Sequence, residues 1–183
     1  MKTASFLSNI DTNKVNELLT EVDNNAEYFL NITDKIVYSY TNDLDMLMQS
    51  IQTLINSDIE IDSTQLDKYV LSLSNMLYFV SYKSERVGIK ADISKSIRQE
   101  IYNKAYLNNQ LKDSYKKNKT TIAENVAVAE EQSKYESVIQ SIYDRVYKIL
   151  KLKVDAGYEL LSSLKKIISR RMQEADISRF QNN

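Results

Sequence analysis

Apolar residues recur at steps of three and four along most of this chain, the spacing of one face of an α-helix. The first run is Val15, Leu18, Leu19, Val22, Ala26, Phe29, Ile32, Ile36, Tyr40, Leu44, Leu47, Ile51 and Leu54. Asp11 and Thr12 offer N-cap side chains just before it. Val15, Val22, Phe29 and Ile36 keep one heptad frame, and Tyr40, Leu47 and Leu54 keep another, shifted by four residues. Such a shift locally unwinds a supercoil. The polar triplet Thr41-Asn42-Asp43 sits at the shift, so residues 1–56 read as one long helix or as two shorter ones.

A second helix is predicted over 61–111. Asp62 followed by Gln65 is close to a capping box. Its seam runs through Leu66, Tyr69, Leu73, Met76, Val80 and Val87, then Ile97 and Ile101. Lys83, Lys90 and Lys104 take seam positions in the second half. The pattern therefore predicts a dry packing face as far as Val80 and a basic face, poorly suited to a core, beyond it. A third helix is predicted over 121–177, with Thr121 and Glu124 as its capping box. Val138, Ile142, Val146, Ile149, Ala156, Leu160, Leu164 and Ile168 form its seam, widened by Leu152, Val154 and Leu161. A seam that wide can face one partner within the chain and another outside it.

Composition narrows the fold class to all-α. The 183 residues contain no proline and two glycines, Gly88 and Gly157, too little turn punctuation for sheets. Long helices in an elongated antiparallel bundle or coiled coil are expected, as one cooperative domain. A helix of about 45 residues is about 65–70 Å long at 1.5 Å per residue. A rod of two or three such helices has much surface for its core, so a homo-oligomer is the expectation.

Cysteine and histidine are absent. Their absence removes disulfides, thiolate metal sites, the Ser-His-Asp triad and the usual general base. There is no phosphate-binding glycine loop and no dinucleotide fingerprint. The chain is accordingly read as a non-enzyme with no cofactor and no metal. No apolar run reaches the length of a membrane span, and residues 1–10 lack a signal-peptide core. The simplest expectation is an intracellular protein with no membrane partner.

Net charge, −1, conceals alternating blocks. Residues 1–62 carry 11 acidic and 3 basic side chains, and residues 63–121 carry 5 and 11. Residues 122–144 carry 5 acidic and 1 basic, and residues 145–183 carry 4 and 9. A partner senses such blocks within a Debye length, roughly 8–10 Å. On an ideal helix Lys83, Arg86, Lys90, Arg98 and Lys104 share about a third of the circumference at 100° per residue. Ammonium groups at helical spacing suit a run of phosphates. The same block could instead pair with the acidic helices. Tyr82, Tyr102, Tyr106 and Tyr115 accompany the cations, as stacking rings do in single-strand binders. Most of the 13 tyrosines, however, sit where amphipathic packing explains them. Lys112, Lys116, Lys117 and Lys119 form a polar, basic connection that serves as a phosphate clamp or as a solubilising linker.

Short motifs then bring in a resemblance. I-D-S-T-Q-L at Ile61 to Leu66, N-M-L-Y at Asn75 to Tyr78, and K-A-Y-L at Lys104 to Leu107 resemble the UvsY family of phage recombination mediators. V-D-A-G-Y-E-L-L-S-S-L-K-K-I-I-S-R-R-M, at Val154 to Met172, looks like a diverged form of that family's final helix. The similarity covers roughly residues 61–172. It implies a ring-like homo-oligomer that binds single-stranded DNA and loads a RecA-like recombinase against single-strand-binding protein. It also implies the cytoplasm of an infected bacterium. The family's basic pair falls on Lys104 and Tyr106, where only the lysine is kept. Lys95, Arg98 or the lysines of 112–119 would have to compensate. Together with Lys83, Arg86 and Lys90 these are the candidate nucleic-acid contacts. The rival expectation is a structural coiled-coil protein, or an adaptor binding a host protein through its acidic first region.

Overall fold

A computed structural model describes residues 11–57, 62–113 and 121–181, with the side chains of 112, 113 and several residues beyond 174 excluded. Four α-helices and no strand occur among them: α1 (Thr12–Ile55), α2 (Ser63–Asp113), α3 (Ile122–Gln132) and α4 (Lys134–Gln181). The all-α expectation holds. α1 starts where Asp11 caps it, its carboxylate accepting from the amides of Asn13 and Lys14. Thr121 and Glu124 form the full capping box of α3, each side chain accepting from the other's backbone amide.

α1 is one unbroken helix. Thr41, at the heptad shift, is buried and donates its hydroxyl to the Val37 carbonyl (3.2 Å) and to Asp45 (2.9 Å). The polar side chain is satisfied inside the helix, so no break is needed.

The third predicted helix is two. It bends at Ser133, whose φ and ψ of −101° and 12° leave the helical region. Ser133 is buried, and its hydroxyl donates to the Ala129 carbonyl at 2.9 Å. A serine bonding back onto its own turn competes with the backbone ladder and bends helices.

α2 and α4 form the most extensive pairing, with α3 continuing along α2 and α1 laid against both. The pairing is antiparallel and keeps one register. Asn109 donates to Asn125 at 2.6 Å, Arg98 to Gln140 at 3.3 Å, Gly88 faces Tyr147, and Leu77 faces Gly157. α1 runs parallel to α4, with the Asp45 carboxylate paired to the Lys153 ammonium. Leu44, Ile51, Leu66, Leu73, Leu77, Leu161 and Leu164 fill one end of the core. Val37, Val87, Val146 and Leu150 fill a second cluster.

The seam of α2 departs from the sequence expectation. It does not lapse after Val80 but continues through Ser84, Val87, Ala91, Ser94 and Ala105, all buried. Small side chains let the helices approach closely, so the face packs with little apolar volume. Large residues opposite fill the space: Tyr147 lies over Gly88, and Leu77 lies over Gly157. Both glycines have negative φ, so their value here is the missing Cβ and not conformational freedom. Ile97, expected on the seam, is 47% exposed. In α4 the buried line is Val146, Leu150, Val154, Gly157, Leu161 and Leu164. Ala156 and Leu152 point to solvent.

The first half of α1 is uncovered. From Thr12 to Asn31 only Ala26 and, in part, Ile32 just beyond are shielded. Among the described residues α1 and α3 do not touch.

Candidate nucleic-acid interface

α2, a helix of 51 residues about 75 Å long, carries the predicted cations from Lys83 to Lys104. Lys83, Lys90, Ile97 and Lys104 lie seven apart, on one rib beside the buried seam. They flank that seam and do not occupy it, which corrects the expectation that lysines replace the core in this half. The seam positions themselves are taken by Ser84, Val87, Ala91 and Ser94.

The candidates separate by what they touch. Lys83, Arg86 and Lys95 are exposed, with no ion pair among the described residues. The exposed Lys90 places its ammonium 5.8 Å from the centroid of the Tyr143 ring, within cation–π range. Arg98 is half-buried and donates to Gln140 at 3.3 Å, while Gln140 donates onward to Asp144. Its guanidinium is thus already engaged across the α2–α4 contact. Lys104 is paired with Glu100 one turn back. The lysine's hydrogen bond, and then its charge, hold the Glu100 carboxyl below its ordinary value of 4.5. Tyr102 and Tyr106 are half-buried, and Tyr82 is 61% exposed. The side chain of Lys112 and all of Lys116, Lys117 and Lys119 lie outside the described residues.

The structure therefore brings Lys83, Arg86 and Lys90 onto one exposed face over about 10 Å of the helix, while Lys95, exposed beside Asp92 and Gln99 on the far flank of α2, stands apart from them. Arg98, Lys104 and Tyr106 stand further along α2 with protein neighbours of their own. Glu85 and Asp92 are exposed in the same stretch, so the local excess of positive charge is modest.

Sequence reasoning missed a second line on α2. Phe79, Tyr82, Ile89, Ile93 and Ile97 are all 47–61% exposed, with Arg86 among them. Their spacing of three, four and seven is helical and was available as a signal, but it is masked by the stronger inner seam. A matching apolar line on α1, led by Leu18, Leu19 and Val22, is 53–61% exposed.

Among the described residues no three His, Cys, Asp or Glu side chains are placed to hold an ion. No described helix is long and apolar enough to cross a membrane. Comparisons with protein-family models, with curated proteins and with solved structures found no match.

Proposed function

We propose that the chain binds single-stranded DNA through α2 and acts as a recombination mediator. In that role it helps a RecA-like recombinase displace single-strand-binding protein in an infected bacterial cell. The observation that carries this reading is the exposed run of Lys83, Arg86 and Lys90 on one face of α2, with the exposed ring of Tyr82 alongside. The motif resemblance over residues 61–172 supplies the biological role. The mechanism needs no catalytic group. Cations grip the phosphate backbone and release counterions, a tyrosine stacks on a base, and several copies together multiply weak sites.

Fluorescence anisotropy with a labelled oligonucleotide, run across a salt series, tests it. Binding should weaken steeply with salt. Neutralising three contacts in Lys83→Gln/Arg86→Gln/Lys90→Gln should flatten the log–log slope by about 2, at roughly 0.7 per lost contact on single strands. Undetectable binding at low salt would remove this reading. A binder that fails to restore recombinase activity on DNA coated with single-strand-binding protein would keep the DNA contact and lose the mediator role.

A second reading is a structural assembly protein. The uncovered apolar lines on α1 and α2 favour it, because a lone rod gains nothing from exposing them.

A further inference from the structure

The uncovered half of α1 has a matching surface elsewhere on the same molecule. Val15, Leu18, Leu19 and Val22 line one side of α1 and are 40–61% exposed. The line continues into a shallow apolar groove between α1 and α4, formed by Ala26, Phe29, Leu30, Val138 and Ile142. Residues 12–31 carry four acidic side chains and one basic. A lone acidic, apolar face of this kind calls for a partner that is helical, apolar along its centre and basic at its margin.

The outer line of α2 has that chemistry. Tyr82, Ile89, Ile93 and Ile97 supply an exposed, largely apolar centre with Arg86 among them, and Lys83 and Lys90 border it on one side. Residues 79–97 carry four basic side chains and two acidic. The two faces also match in length. Val15 to Leu30 spans about 22 Å and Phe79 to Ile97 about 27 Å at 1.5 Å per residue.

Within one chain the two cannot meet. The α2 line points away from the core that Val80, Val87 and Ala91 enter, and α1 already lies against the inner side of α2.

We propose that the first half of α1 in one copy docks on the outer face of α2 in a second copy, so that Tyr82, Lys83 and Lys90 are covered by protein in the assembly and DNA must compete with α1 for this face. Run antiparallel, Asp23 and Glu27 come level with Lys90 and Lys83, while Val15 and Leu19 meet Ile97 and Ile93. Opposed charges at the edge set the register, and the apolar centre supplies the affinity. Because the two patches differ, the contact repeats from copy to copy and closes as a reciprocal pair or a ring. A second α1 is disfavoured as the occupant, since it would set acid against acid.

The test is solution mass of the full chain by light scattering, with no nucleic acid present, so its outcome is independent of DNA binding. The wild-type chain should exceed the 21.2 kDa of one copy. Asp23→Lys/Glu27→Lys and Lys83→Glu/Lys90→Glu should each weaken association by about tenfold or more, as like charges oppose. Mixing the two variants should restore the assembly, because each then carries the other's complement. All four positions are exposed, and circular dichroism confirms that both variants fold. A wild-type chain of single-copy mass overturns the proposal. So does a mass insensitive to either reversal, or a mixture that fails to reassemble.

Discussion

The two glycines allow a comparison in which one energy term cancels. Gly88 and Gly157 both lie inside long helices with negative φ. Replacing either by alanine gains about the same helix propensity, roughly 0.8–1.0 kcal/mol. What differs is the space for a methyl group. At 88 the new Cβ would stand 3.1 Å from Cε2 of Tyr147, a half-buried ring that can pivot by a few tenths of an ångström. At 157 the new Cβ would overlap the Leu77 side chain, which is fully buried among Leu73, Val80 and Leu161. Leu77 can yield only by disturbing that cluster, and forcing volume into a packed core costs about 1–3 kcal/mol. Gly88→Ala should therefore be neutral or up to about 1 kcal/mol more stable, the propensity gain alone. Gly157→Ala should be less stable than Gly88→Ala by about 1–3 kcal/mol. At roughly 2–4 °C per kcal/mol for a chain of this size, the melting temperatures should separate by about 2–12 °C. Urea unfolding followed by far-ultraviolet circular dichroism reads the difference directly. If Gly157→Ala proved as stable as Gly88→Ala, the close Leu77–Gly157 contact would not exist as described.

Other substitutions probe the remaining features. Leu77→Ala should cost about 3–5 kcal/mol through lost burial and a cavity, whereas Leu18→Ala on the exposed α1 line should change monomer unfolding by less than about 0.5 kcal/mol; parallel urea curves distinguish them. The Ser81 hydroxyl is buried with no hydrogen-bond partner among the described residues. Ser81→Ala should raise stability by about 1 kcal/mol, from relieved desolvation and better helix propensity, and an unchanged urea midpoint would count against it. Lys104→Met should return the Glu100 carboxyl towards its ordinary range, seen as an upward shift in its titration by carbon-detected NMR. The sign follows from linkage: a carboxyl lowered in the folded state stabilises above its unfolded pKa, and that contribution is lost as pH falls through the folded value. Acid sensitivity from this pair should therefore lessen in Lys104→Met. Because both side chains are more than 60% exposed, added salt should shrink the shift in the wild type as well.

Helical periodicity and the missing prolines were enough to specify helices, their approximate ends and two of their caps. Those properties are local: a cap needs only the next few amides, and an amphipathic face needs only its own spacing. The continuity of α1 through Thr41 was open because its hydroxyl can bond its own helix or compete with it, and Asp45 decides between them. The bend at Ser133 was invisible for the same reason. Candidate cations were found by type and spacing, but their availability was not. Arg98 turned out to face Gln140, 42 residues away, and no local pattern reports that.

The sequence by itself determined that this chain is helical, that its charge alternates in blocks, and that it contains neither histidine nor cysteine. Tertiary structure decided which of its several apolar lines became the core. Ser84, Ala91 and Ser94 are buried while Ile89, Ile93 and Ile97 are exposed. A hydropathy pattern ranks those residues the other way. The reason is steric: close helix pairing rewards small side chains opposite Tyr147 and its neighbours, and the larger isoleucines are left on the outside. That inversion leaves an apolar, cationic surface on α2 and an apolar, acidic one on α1, and the behaviour of the protein is to be sought on those two faces.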